Sequence, residues 1–351
     1  MAIDQEKFQE LAQKMIGDMG VAFGAALVVI GDRLGLYKAL AENGPATSEE
    51  LASRTGTFER YVREWLAAQA SAGYIGYDKS AQRYFMSEEQ ALVFATEDSP
   101  LFAPASFEIA ASMMRDEPKI TEAFRSGRGV GWGEHDVCLF RGTERFFRPA
   151  YATNLIASWL PALEGVVAQL ERGASVADVG CGHGSSTILM AKAFPKSQFI
   201  GFDFHPPSIE HAREAARAAG VADRVRFEKA TAKDFPGSYD LVACFDCLHD
   251  MGDPAGAAAH VLSTLKPTGT WMIVEPFAND ETADNLNPLG RMFYSASTMV
   301  CTPASRAQEV GLALGTQAGP KRLREVVTAG GFTRFRIATQ TPFNLVLEAR
   351  P

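Results

Sequence analysis

From Ser175 to the C-terminus, short apolar runs alternate with stretches of helical periodicity. Residues 176–179 read as a buried strand that closes at Asp178, and residues 185–194 read as a helix apolar at Ile188, Leu189, Ala191 and Phe194. Further strands are predicted at 198–203, 224–229, 239–246 and 270–275, the last entered through Gly269. Pro206 stands at the first position of another helix, where its missing N–H costs nothing, with His205 before it as a cap. Residues 260–265 close a further helix. Alternation of this kind builds an open parallel α/β sheet. The end of the chain differs. Gly330-Gly331 stops a late helix, and residues 332–338 and 343–349 follow as a strand pair around Thr341-Pro342, so the sheet is expected to finish with an antiparallel hairpin. Residues 280–319 read as a helical insertion.

The N-terminal third has a different rhythm. Residues 21–41 read as one long helix, broken by Gly44-Pro45. Thr47, with Glu50 three positions on, opens a second helix that Gly56 ends. Thr57 caps a third, running to Ala72, and residues 74–77 and 83–86 form two short strands around 78–82. Three helices and a hairpin resemble a winged-helix module, which gives this α+β segment DNA binding as one possible role. Phosphate contacts dominate DNA affinity and need a basic face. Residues 1–100 hold 9 Lys/Arg against 15 Asp/Glu, a net of −6, and the third helix sets Glu59 and Glu64 beside Arg60 and Arg63. Nucleic acid is therefore not the expected partner; dimerisation and a substrate lid are. Residues 21–30 are apolar at Val21, Phe23 and 27–30, on more than one helical face, and are expected to pack in a homodimer interface.

Residues 98–165, aromatic at Phe102, Phe107, Trp132 and Trp159, are expected to be connecting helices and lid between a winged-helix-like domain at 1–97 and a ligand-binding domain at 166–351. They are interrupted by Gly129-Val130-Gly131-Trp132-Gly133-Glu134-His135, too glycine-rich for a helix. The Trp and His of this loop either line a pocket mouth or are a packed Trp and a surface His.

Composition narrows the class. A chain of 351 residues holds about two domains, and 46% hydrophobic with 22% charged residues is ordinary for a globular protein. The net charge of −8 offers nothing to attract nucleic acid non-specifically. The first twenty residues carry Asp4, Glu6, Lys7, Glu10, Lys14 and Asp18, an amphipathic start rather than a signal peptide. The longest apolar run, 21–31, is shorter than the ~20 residues a bilayer requires. A cytoplasmic protein with no membrane partner is expected. Five scattered cysteines without a secretion signal suggest reduced thiols. Cys244-Phe245-Asp246-Cys247 is formally C-x-x-C, but zinc wants a second pair and none exists, so no metal is expected.

The chemistry concentrates in Asp178-Val179-Gly180-Cys181-Gly182-His183-Gly184, between the first predicted strand and its helix. Glycines on alternate positions allow positive φ and close approach of a ligand to the backbone, and the helix N-terminus behind them favours an anion. Gly180 and Gly182 fit the dinucleotide fingerprint G-x-G-x-x-G/A with Ser185 in place of the third glycine, which leaves a dinucleotide-dependent oxidoreductase as an alternative. Asp178, Gly180, Gly182 and Gly184 fit D-x-G-x-G-x-G in full. That pattern resembles the first motif of the class I S-adenosylmethionine-dependent methyltransferases. The terminal hairpin resembles their Rossmann-like sheet with its reversed last strand, and the N-terminal module extends the likeness to small-molecule O-methyltransferases with winged-helix dimerisation domains.

The resemblance implies S-adenosylmethionine as cofactor, with Gly180, Cys181, Gly182 and Gly184 around its carboxylate and Asp178 on its ammonium. Asp203, at the end of the second strand, then takes the ribose hydroxyls and Phe204 the adenine face. Residues Thr231 and Ala232 border the adenine; an Asp is common in the family where Thr231 stands. The backbone at Phe245 borders the methionine moiety. Leu248-His249-Asp250 resembles the His-Asp segment whose histidine removes the acceptor proton, though Met251 stands where a Trp is common. His249 is then a catalytic base, or alternatively a residue that caps its loop. With a reference pKa near 6.5 it is expected to be neutral at pH 7. The acceptor is expected to be small and apolar or aromatic. Some bacterial relatives carry a regulator label, so a ligand-sensing regulator that binds S-adenosylmethionine is the remaining alternative.

Overall fold

A computed structural model describes residues 3–351. They divide into two compact units: one runs to Met114 and includes Val137–Pro149, and the other comprises Arg115–Asp136 and Ala150–Pro351. The stretch 98–165 is thus shared between the units.

The first unit opens with α1 (Gln5–Arg33), whose N-cap Asp4 accepts from the Glu6 and Lys7 amides. The long helix expected over 21–41 is two helices. Gly35, at φ +67°, separates α1 from α2 (Leu36–Asn43), a turn that periodicity alone does not reveal. In α3 (Ser48–Thr55) Thr47 and Glu50 form the expected capping box. In α4 (Glu59–Ser71) the N-cap position falls on Phe58, and the Thr57 hydroxyl pairs with Thr55 instead. The short strands β1 (Gly76–Asp78) and β2 (Arg83–Phe85) pair antiparallel, and Tyr84 also bridges to Ala46. Helix α5 (Glu88–Phe94) follows. Val28, Tyr37, Leu51, Trp65 and Leu66 form the core between these helices, and the Trp65 indole donates to the Leu27 carbonyl at 2.8 Å. The other side of α1 is bare: Phe8, Leu11, Met15, Ile16 and Phe23 are exposed, Phe23 at 75%. The apolar run 21–31 belongs to a 29-residue helix that, by length and composition alone, matches a membrane span, with only 22% of its most apolar window buried.

Two helices, α6 (Ala103–Ser126) and α7 (Cys138–Asn154), flank the glycine-rich loop. Helix α8 (Val166–Arg172) leads into the sheet. Five parallel strands follow: β3 (Ser175–Val179), β4 (Gln198–Asp203), β5 (Val225–Lys229), β6 (Tyr239–Phe245) and β7 (Leu265–Pro276). Helices α9 (Ser185–Ala193), α10 (Pro206–Ala218) and α11 (Pro254–Thr264) connect them. His205 holds the N-cap position of α10, but its ring bonds the Ser208 hydroxyl rather than a backbone N–H. After α12 (Pro288–Ala296), α13 (Thr302–Arg306) and α14 (Gly319–Ala329), β8 (Arg334–Gln340) and β9 (Asn344–Arg350) close the chain. The sheet order is β5-β4-β3-β6-β7-β9-β8, with β9 antiparallel to both neighbours, as the hairpin predicts. Strand β7 starts five residues before the expected Thr270, continuous with the end of α11. Trp271 and Phe332, ring centroids 5.2 Å apart, anchor a core with Phe235, Tyr239 and Leu347. Asp178 pairs with Gly201 on one side and Ala243 on the other, so the carboxyl ends of β3, β4 and β6 lie side by side. Open sheets bind ligands at that edge.

Candidate active site

The glycine loop is pinned onto β4. The Gly180 and Cys181 amides both donate to the Phe202 carbonyl, at 2.8 and 3.0 Å, and the Gly182 amide donates to Asp203 Oδ2 at 3.0 Å. Gly180, Gly182 and Gly184 have φ of +76°, +52° and +82°. A Cβ at Gly180 would lie 2.7 Å from Cys247 Sγ, and one at Gly184 2.5 Å from the Phe227 ring, whereas one at Gly182 meets no atom within 4 Å. Gly182 is therefore glycine for its backbone angle, and its outer face is open to a ligand.

Asp178 lies beneath this loop, 1% exposed. Its Oδ2 accepts from the Ser186 and Thr187 hydroxyls at 2.6 Å each, but its Oδ1 is buried without a partner. Burial pushes its carboxyl up to about 6, against the pull of those two hydroxyls. Asp203 is also buried. Its Oδ1 accepts from the His205 amide at 2.8 Å and its Oδ2 from Gly182, which leaves each oxygen a lone pair for a further donor. Burial raises its pKa, and the His205 and Gly182 amides pull it back. Phe204 stands beside it, 45% exposed. Thr231 is exposed and lies in a turn held by Asp234, which accepts from the Thr231 amide at 2.6 Å; its hydroxyl oxygen accepts from the Lys233 amide. Ala232 packs on the core, and the Ala230 amide donates to the Asp203 carbonyl, so this turn sits next to the end of β4. Phe245 is buried, its ring 5.3 Å from Tyr151.

His249 is buried on a single 3₁₀ turn after β6. Its Nδ1 makes a short hydrogen bond to Glu275 Oε2, and Glu275 Oε1 accepts from the Leu248 amide at 2.9 Å. Its Nε2 lies 3.2 Å from Asp250 Oδ1. Burial disfavours the charged ring, but Glu275 and Asp250 outweigh it and hold the pKa well above the usual histidine range. This corrects the expectation of an unperturbed imidazole. Glu275, at the end of β7, has no sequence signal linking it to His249; only the pairing of β6 with β7 brings the two together.

Asp246 is a second residue that the sequence does not single out. Its φ of +50° is rare outside glycine and marks local strain. Its oxygens accept from the Tyr151 hydroxyl at 2.9 Å and the Asn344 amide nitrogen at 3.1 Å. Burial, then the nearby Glu275 charge, pushes its carboxyl up to about 8. Tyr151, Asn344 and Glu275 come from α7, β9 and the end of β7, a convergence that no local pattern announces. His183, inside the glycine loop, stacks on His211 with ring centroids 4.1 Å apart; burial, then His211, lowers its pKa to about 4.

Of the cysteines, all five are free thiols. Cys244 is buried and Cys247 half-buried: Cys244 Sγ accepts from the Trp271 indole, and Cys247 Sγ donates to the Val179 carbonyl. Among the described residues, His249, Asp250 and Cys301 bring three donor atoms within 4.8 Å of one another. Burial pushes the Cys301 thiol up to about 12, so it is a neutral hydrogen-bonding group rather than a thiolate.

The glycine-rich loop does not carry a surface histidine. His135 is 6% exposed, its Nδ1 2.9 Å from Asp116 Oδ2. The reading of this loop as a packed Trp with a surface His is corrected on the second count.

Residues 170–331 match the family described as "Methyltransferase domain", and residues 22–96 match the "Rv2258c-like winged HTH domain". Over 141 residues the chain is 30% identical to the 27-O-demethylrifamycin SV methyltransferase of Amycolatopsis mediterranei, covering 39% of this chain and 46% of that protein. Over 279 residues it is 24% identical to the mitomycin biosynthesis 6-O-methyltransferase of Streptomyces lavendulae, covering 75% and 76%. With other curated relatives, too, the match spans half of their length or less. The solved structure of human N-acetylserotonin methyltransferase in complex with SAM superposes with a TM-score of 0.72 at 17% identity, over 97% of each chain, which shows a shared fold. The chain thus joins a winged helix-turn-helix domain of the Rv2258c-like type to a methyltransferase domain.

Proposed function

We propose that this protein transfers a methyl group from S-adenosylmethionine to a hydroxyl of a small, apolar or aromatic molecule. The observation that carries this reading is the unpartnered, buried Oδ1 of Asp178 beneath an open glycine loop, with Asp203 at the next strand end. A buried acceptor without a donor is costly, and an ammonium group satisfies it. The residues fit the cofactor group by group. Gly180, Cys181, Gly182 and Gly184 offer a backbone cradle and a helix N-terminus to its carboxylate. Asp203 keeps free lone pairs for two ribose hydroxyls, Phe204 an exposed face for the adenine, and Thr231 and Ala232 the rim beside it. The backbone of Phe245 borders the methionine moiety. Bound there, S-adenosylmethionine supplies a methyl group on a positively charged sulfur.

The chain's own task is then to hold the acceptor and take its proton. His249 Nε2 accepts the proton of the acceptor hydroxyl, while Glu275 fixes the ring through Nδ1 and stabilises the imidazolium that forms. No metal is invoked. Residues 1–97 serve dimerisation, with the exposed apolar side of α1 buried against a second copy. Residues 98–165 serve as connection and lid, and residues 166–351 as the cofactor domain. We place the homodimer in the cytoplasm. DNA is not a partner in this reading, because Arg60 and Arg63 of α4 are tied to Glu64 and Glu59, and Phe58 and Tyr61 are exposed beside them. The test is formation of S-adenosylhomocysteine from S-adenosylmethionine with a panel of phenols. His249→Ala should cut turnover ~10²–10⁴-fold and leave cofactor affinity nearly intact. A variant that keeps most of its turnover would remove the base role.

A further inference from the structure

The glycine-rich loop is fixed rather than loose. The Val130 amide donates to the Pro303 carbonyl at 3.0 Å, and a Cβ at Gly129 would lie 2.0 Å from the Ala307 amide nitrogen. Farther along, a Cβ at Gly133 would lie 3.4 Å from the ring of His205, next to Asp203. Lys119 Nζ holds both Asp116 Oδ1 and the Glu134 carbonyl. The loop therefore runs from α13 to the end of β4, across the ligand edge of the sheet, and delivers His135.

His135 carries an unusual combination. Its Nδ1 faces Asp116 Oδ2, which also accepts from the Asp136 amide at 2.9 Å. A carboxylate that accepts from every neighbour fixes the tautomer: Nδ1 bears the hydrogen and Nε2 presents a lone pair. That Nε2 is buried and has no partner. Packing alone gives no reason to orient a buried ring with one nitrogen satisfied and the other abandoned. The same helix α13 that holds this loop also holds the His249 turn, because the Ser305 hydroxyl donates to the Met251 carbonyl at 2.9 Å. His135 Nε2 is thus an unsatisfied buried acceptor close to the His249 turn, and such an atom selects a guest with a further donor.

We propose that His135 is a second acceptor-binding residue, and that the methyl acceptor carries two neighbouring hydroxyls. One hydroxyl faces His249 and reacts; the other donates to His135 Nε2. This inference rests on the methyl-transfer reading above and names its substrate class. It carries a consequence for product. After one methylation, the ether oxygen has no hydrogen to give, and turned toward His135 it sets lone pair against lone pair. The monomethyl ether should bind poorly and a second methylation should be slow.

The test measures binding of three probes, catechol, phenol and 2-methoxyphenol, to the full chain saturated with S-adenosylhomocysteine. The wild type should bind catechol at least ~10-fold more tightly than either other probe. His135→Phe should abolish that preference while phenol and S-adenosylhomocysteine bind as before; if that variant misfolds, His135→Gln serves. Asp116→Asn, which donates to Nδ1 and moves the hydrogen to Nε2, should abolish the preference too, with the tautomer change visible in histidine ¹⁵N spectra. A wild type without catechol preference, or a His135→Phe protein that keeps it, would overturn the inference while leaving the methyl-transfer reading standing. Failure of the wild type to bind S-adenosylhomocysteine would instead strike that reading itself.

Discussion

At the scale of single residues, the proposed base His249 and its partner Glu275 predict a pH dependence. A base must be neutral to accept a proton, and the partners of His249 hold its pKa above the usual range. Turnover should therefore rise with pH along a limb that lies above the reference value of ~6.5. Replacing Glu275 by Gln removes the charge that favours the imidazolium. The limb should move to lower pH while maximal turnover falls, because the ring loses its orientation. A limb that stays in place in Glu275→Gln would remove this pairing from the mechanism. The proposed cofactor residues Asp178 and Asp203 were legible in the sequence, because a strand-end acid beside glycines is a local pattern. Glu275, Asp246 and the buried state of His135 were not, because each gains its meaning from a partner on a distant element.

At the scale of elements, the glycine loop and α1 make separate predictions. Alanine at position 182 meets no neighbour but must adopt φ +52°, so Gly182→Ala should cost about 1 kcal/mol of stability and place a methyl on the ligand face. Thermal melts should change little while S-adenosylmethionine binding weakens clearly; normal binding would mean that the ligand does not approach this face. For α1, the exposed Leu11 and Ile16 belong to its apolar side. The wild type should sediment as a dimer at micromolar concentration, and the pair Leu11→Glu with Ile16→Glu as a monomer. A monomeric wild type would overturn the assignment of this face. The strands and most helix starts were readable from turn residues and caps. The break at Gly35 was missed because the apolar periodicity continues through it, and only the backbone angle interrupts the helix.

For the molecule as a whole, buried carboxyls shape stability. Asp178 and Asp246 have folded-state values of about 6 and about 8, above the unfolded value near 3.9. The folded chain keeps protons that the unfolded chain releases, so stability falls as pH rises from about 4 through about 8. The melting temperature should drop between pH 6 and pH 9, and Asp246→Asn, which cannot ionise, should flatten part of that drop, on the order of 2 kcal/mol. Parallel melting profiles for the two proteins would contradict the raised Asp246. The sheet order, with β9 between β7 and β8, followed from a hairpin visible in the sequence, whereas the division of 98–165 between two units did not, since helices of similar composition join either. The most direct test of the central reading is calorimetry with S-adenosylmethionine and NAD on the wild type and Asp203→Ala. S-adenosylmethionine should bind and NAD should not, and Asp203→Ala should weaken binding by about 1.5–3 kcal/mol with the fold intact. Binding of NAD instead, or unchanged S-adenosylmethionine affinity in Asp203→Ala, would contradict it.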